Sequence, residues 1–232
     1  MMQPSEPSLL DERLKRFLDE RLKRFWRYWQ SLRVGMALPE RAAFNPVRLG
    51  ADVAAMAVLE WQPPRLTARL VGSQLEDYPQ GPRQGMDIFA AMDAPLREAA
   101  RGWWGQVLAQ PCGVRMVLVT RWLGAAASSH EIVFMPLAQN GVTADRLYVM
   151  TALLDTVPAV HETAPPIQAI LRSDLFDLGF GMPRGVLPDM ETPLESLARP
   201  SEKTLLDQLH RRETFAGVPG YPGHRPAERA PI

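Results

Sequence analysis

The sequence has a single cysteine in 232 residues, no excess of charge of either sign and no long hydrophobic run. One cysteine, Cys112, excludes a disulfide framework and any cysteine-rich zinc module. Basic and acidic residues balance at 26 each, which argues against a nucleic-acid protein, since these carry a basic excess. The longest uninterrupted apolar stretch, Val53 to Leu59, falls far below the roughly 18 residues that span a bilayer. Met1 to Leu10 contains no apolar signal core and acidic residues follow closely, so secretion is not expected. The expectation is a soluble, cytoplasmic protein with no membrane span. At 46% hydrophobic residues, a chain of this length can bury a sizeable core without disulfides or metal.

Catalytic signatures are equally scarce. There is no glycine-rich phosphate loop ending in Lys-Ser/Thr and no Gly-x-Ser-x-Gly elbow. Gly179, Gly181 and Gly185 imitate a dinucleotide fingerprint, but the third glycine comes one place late and Pro183 intervenes. His130, His161, His210 and His224 have no metal-ligand spacing with each other or with Cys112. No metal site and no catalytic set are expected, and the sequence names no cofactor. Cys112, at a helix-to-strand turn, reads as an inert thiol in preference to a reactive one or a flavin-adduct site. His130 reads as an exposed strand-edge residue in preference to a haem ligand.

What the chain does have is proline, unevenly placed. Eleven of its 22 prolines lie from Pro158 onward, where helices and central strands would tolerate them poorly. Three regions are therefore expected: an N-terminal helix over 1–35, a compact domain over 36–156, and a proline-rich, partly disordered extension over 157–232. Within the extension, Ser201 to Arg212 could form a short helix. The N-terminal region contains an exact tandem duplication, Leu10 to Phe17 repeated as Leu18 to Phe25. Apolar residues at helical spacing predict one long amphipathic helix, about Pro7 to Leu32. A period of eight turns the second apolar stripe by about 80° from the first, so this is neither a heptad nor a solenoid repeat. The helix carries seven basic against four acidic residues between Asp11 and Arg27. Packing on its own domain or on a second subunit is favoured over a membrane surface, because acidic residues interrupt the basic face.

The middle of the chain alternates short elements. Val53 to Trp61 and Arg65 to Ser73 read as strands around the Pro63-Pro64 turn. Asp93-Ala-Pro95 reads as a capped helix start, with the helix running to Ala109. Three strands follow in Val114 to Leu123, His130 to Leu137 and Arg146 to Leu154, joined by turns at Gly124–Ser129 and Gln139-Asn140-Gly141. Two strands, a helix and three strands in succession predict an α+β fold with an antiparallel sheet. Arg69, Arg115 and Arg121 are expected on a solvated sheet face.

Several of these stretches resemble the alphaproteobacterial PAS-like family PAS_5. "FWRYWQSLR" (Phe25 to Arg33) resembles the family's opening helix, and Leu38 to Arg41 with Asn45-Pro46 its connector. "RLTARLVG" (Arg65 to Gly72) resembles its second strand, and "EIVFMPLAQNG" (Glu131 to Gly141) a later one. The match runs in order from Phe25 to Asp155. The loop after Gly72 departs from the pattern, keeping Gly85 but losing an acid–Thr pair. The resemblance implies a five-stranded antiparallel sheet with helices on one face, preceded here by the long N-terminal helix.

Such domains bind small ligands or mediate signalling contacts. The resemblance therefore implies a stand-alone, non-catalytic sensory or regulatory module that binds a small molecule or a protein partner. The alternative is a ligand-free scaffold using the same fold as an interaction platform. If helices cover the concave face, Leu70, Trp104, Met116, Leu118, Thr120, Trp122, Phe134 and Tyr148 are the pocket candidates, with Thr120 and Tyr148 supplying hydroxyls. Leu14, Leu18, Leu22, Phe25 and Trp29 are the candidates for homodimerisation through the N-terminal helix.

Overall fold

In the computed structural model, which describes residues 17–123, 126–138, 144–157 and 166–183, the first element is helix α1, Glu20–Ser31. Asp19 caps it, its carboxylate accepting the Arg21 backbone N–H at 2.7 Å, which satisfies one of the orphan donors of the first turn. Leu22, Phe25, Trp26 and Trp29 form its buried stripe, the helical spacing of an amphipathic surface. Leu14, the first repeat up to residue 16, the Gln139-Asn140-Gly141 turn, the Ser201 to Arg212 helix and three of the histidines lie outside the described residues.

Two 3₁₀ segments lead into β1 (Met56–Gln62), which turns back as β2 (Arg65–Val71). Gly72 ends β2 with its N–H on the Met56 carbonyl. A side chain there would collide with the Val53 and Ala54 carbonyl oxygens, so this close approach requires glycine. A short helix α2 (Ser73–Glu76), a loop and helix α3 (Ala94–Ala109) follow. Asp93 caps α3 through the Leu96 N–H at 2.9 Å, and Pro95 lies in its first turn. The remaining strands are β3 (Cys112–Leu123), β4 (Ala126–Ala138), β5 (Ala144–Val157) and β6 (Ile167–Asp177).

The strands form one sheet in the order β2-β1-β5-β4-β3-β6, every pairing antiparallel. This is the expected α+β class with three corrections. First, the sheet has six strands, because β6 from the supposed extension pairs along β3 from Cys112↔Asp177 to Thr120↔Ile167. The extension therefore contributes an edge of the sheet. Second, helices cover both faces. Trp104 of α3 packs edge-on against Phe134. On the reverse face Trp29 of α1 donates from Nε1 to the Pro136 carbonyl at 3.0 Å, and Trp26 packs against Phe176. Third, α1 spans 12 described residues from the Asp19 cap, shorter than the Pro7 to Leu32 expectation.

Covering both faces explains why β3 and β4 are buried at nearly every position. It also overturns two surface readings. Arg115 is 1% exposed and Arg121 6%, while Arg69 is exposed as expected and pairs with Glu60. His130 is fully buried.

Candidate functional site

Between the sheet and its α2–α3 cover lies an apolar cavity of about 50 Å³. Every strand contributes to its floor: Ala57 and Leu59, Leu66, Met116, Leu118 and Trp122, Ile132 and Phe134, Val149 and Thr151, and Ile167 and Ile170. Leu75, Pro82, Ile88, Met92 and Trp104 complete the enclosure. The floor residues of β1, β3, β4 and β5 are spaced by even numbers along their strands, the period-two consequence of the pleat. Ile167 and Ile170 of β6, three apart, share the face because the β3–β6 register shifts between them. Thr151 is the one polar residue among them.

Five of the eight sequence-derived candidates, Trp104, Met116, Leu118, Trp122 and Phe134, come together here. The other three do not. Leu70 is 43% exposed on β2. Thr120 is buried with its hydroxyl 3.4 Å from that of Ser128. Tyr148 faces the opposite side, packed on Phe44 with ring centroids 4.1 Å apart. Its neighbour Val149 is the lining residue: a shift of one position along a strand exchanges faces. Ile132 was legible two places before Phe134, whereas Ile167 and Ile170 follow only from the sixth strand.

At the Trp122 end, the cavity face carries a buried polar string. Thr120 and Ser128 are cross-strand partners, and the Ser128 hydroxyl lies 2.8 Å from His130 Nε2. The imidazole packs against the Trp122 ring at 4.9 Å and the Tyr78 ring at 5.7 Å. Burial pushes its pKa down to about 3, so it is neutral at pH 7. Its Nδ1 is buried and makes no hydrogen bond. Leaving such an atom unsatisfied costs about 1–3 kcal/mol.

The reverse face holds a buried ionic cluster. Arg115 donates to Glu131 and, at 2.7 Å, to Asp174 of β6. Glu131 also accepts the backbone N–H groups of Leu18 and Asp19 at 3.0 and 3.1 Å. Burial pushes the Glu131 carboxyl up, opposed by Arg115 and by these two N–H groups. The cluster ties the entry of α1 and the added strand β6 to the centre of the sheet. Cys112 is buried, and its thiol is pushed up to about 12 by burial and the nearby Asp177 charge. It is protonated at neutral pH, which removes the thiolate that reactivity needs. Among the described residues no His, Cys, Asp and Glu cluster suited to a metal ion occurs, and no helix is long and apolar enough to cross a membrane.

The five strands β1 to β5 in the order 2-1-5-4-3, closed over a cavity by helices, coincide with a family model described as a PAS domain, PAS_5, which matches residues 19–151. The chain belongs to the PAS_5 family. No curated protein and no solved structure matches it significantly. PAS domains are sensory or regulatory modules, generally non-catalytic. In this PAS domain the matched region includes α1 and most of β5, while β6 lies beyond it. The PAS cavity is thus walled on one side by a strand from outside the family domain.

The dimerisation candidates are also placed. Leu22, Phe25 and Trp29 are fully buried within this same chain, and Leu18 packs against Val117, Val119 and Ala169. These side chains pack within the PAS core of the same chain.

Proposed function

We propose that this PAS domain is a cytoplasmic, non-catalytic sensor whose apolar cavity takes up a small molecule and passes its occupancy to a protein partner. The cavity itself carries this reading: it is lined by residues of all six strands and of the helical cover, with almost no polar lining. At about 50 Å³, it is smaller than the engineered cavity of about 150 Å³ that binds benzene in another protein. Uptake of a ring therefore needs local repacking. Met92 and Met116 in the wall suit this, because an unbranched thioether adapts to irregular space. Ile167 and Ile170 make β6 responsive to occupancy, and β6 connects through Asp174 and Arg115 to the start of α1.

The small resting volume favours one other reading, a ligand-free scaffold in which the same residues are simply core. Thermal denaturation with a panel of small apolar molecules separates the two. The sensor reading predicts that some member raises the Tm of the wild-type chain and leaves Ala57→Leu, which fills the cavity, unshifted. Equal shifts in both proteins, or none in either, support the scaffold.

A further inference from the structure

The buried string next to the cavity narrows the chemistry of what the cavity takes. His130 lies directly opposite Leu118 across the β3–β4 ladder and two residues before Ile132, and both of these line the cavity. Trp122 touches both places, lining the cavity and packing against the imidazole. The imidazole has one satisfied nitrogen, Nε2 on Ser128, and one bare nitrogen, Nδ1, in a fully buried site. Tyr78 and Trp122 present ring faces or edges to it.

We propose that the cavity ligand is a small neutral ring bearing one hydroxyl or carbonyl group, which hydrogen-bonds His130 Nδ1 when the Trp122 side chain turns aside. This rests on the sensor reading above and adds the ligand's polar group to it. The ring is called for by the walls, which include the aromatic side chains of Trp104, Phe134 and Trp122, since aromatic pairs gain from edge-to-face or offset-stacked contact. Neutrality follows from the apolar lining, in which a charged group would lose its hydration without compensation. Turning Trp122 does two things at once: it enlarges the space and opens it toward the buried Nδ1 of His130, which makes no hydrogen bond. Ser128 fixes the tautomer. If its hydroxyl donates to Nε2, then Nδ1 carries a hydrogen and binds a carbonyl or hydroxyl oxygen. If it accepts from Nε2, Nδ1 accepts a hydroxyl hydrogen.

Phenol and benzene, nearly alike in shape, test this. Binding is followed by ¹⁵N spectra of the full-length chain. Phenol should bind about fivefold tighter than benzene, the worth of one net hydrogen bond. It should also move the His130 Nδ1 resonance while benzene leaves it in place. In His130→Phe, the phenol preference should vanish while benzene still binds. The wild-type nitrogen shift keeps the test decisive if that variant fails to fold. Benzene and phenol binding equally, with Nδ1 unmoved, overturns the role of His130 and leaves the sensor reading standing. Neither probe binding overturns both.

Discussion

The Arg115 guanidinium bridges Glu131 of β4 and Asp174 of β6 while 1% exposed, and Glu131 in turn holds the backbone N–H groups of Leu18 and Asp19. One cation therefore links the central sheet, the added edge strand and the N-terminal helix. A buried pair of this kind gives little net stability over an apolar replacement, because desolvation offsets its Coulomb attraction. Removing one partner is different, since it strands a buried charge.

Arg115→Leu is accordingly expected to lose about 3–5 kcal/mol of unfolding free energy, read by urea denaturation. Adding Glu131→Leu to it should recover a large part of that loss. A double variant as unstable as the single one would show that the geometry of the cluster, more than its charge balance, holds these segments together.

His130 gives the chain a pH signature. Its folded value, pushed down to about 3 by burial, lies below the ordinary value of about 6.5 in the unfolded chain. As pH falls through that window the unfolded state takes up a proton that the folded state refuses. Stability is therefore fully present above about pH 6.5 and declines toward pH 3, by up to roughly 1.4 kcal/mol per pH unit. Urea midpoints of wild type and His130→Phe between pH 7 and 5 isolate this contribution. The wild type should weaken more steeply than the variant, and parallel slopes would contradict the buried neutral imidazole.

The N-terminal helix is part of the domain. Trp29 is fully buried and bonded to the Pro136 carbonyl, so Trp29→Ala should lose about 3–5 kcal/mol. A chain starting at Arg33 should show no cooperative thermal transition. If that chain instead melts cooperatively as a monomer while the full chain is a dimer, α1 is a dimerisation element after all.

Much of this architecture was readable. Asp93 with Pro95 marked the start of α3, and the alternation of Met116, Leu118 and Trp122 against Arg115 and Arg121 fixed the two faces of β3. Alternation shows that β3 has two faces but not what covers each of them. An arginine face reads as solvated unless its counterions are known, and Glu131 and Asp174 lie 16 and 59 residues from Arg115. The β3–β4 pairing supplies the first of these, because its register, Arg115↔Val133 and Val117↔Glu131, sets 115 and 131 at diagonal positions on one face. β6 was hidden by Pro158, Pro165 and Pro166 just before it. Its alternation is also broken by register shifts opposite Val117/Leu118 and Val119/Thr120. The orphaned nitrogen of His130 had no sequence signal at all, since it depends on how Tyr78 and Trp122 pack around the ring.

The central claim, that the cavity under α3 admits a small molecule, is tested most directly by the indole N–H resonances during a benzene titration of the full chain. Trp104 and Trp122 line the cavity, whereas Trp26 and Trp29 lie on the other face of the sheet. Saturable shifts of Trp104 and Trp122, with Trp26 and Trp29 unmoved, are the predicted result. No shift up to the solubility of benzene, or equal non-saturating drift of all four, would contradict it.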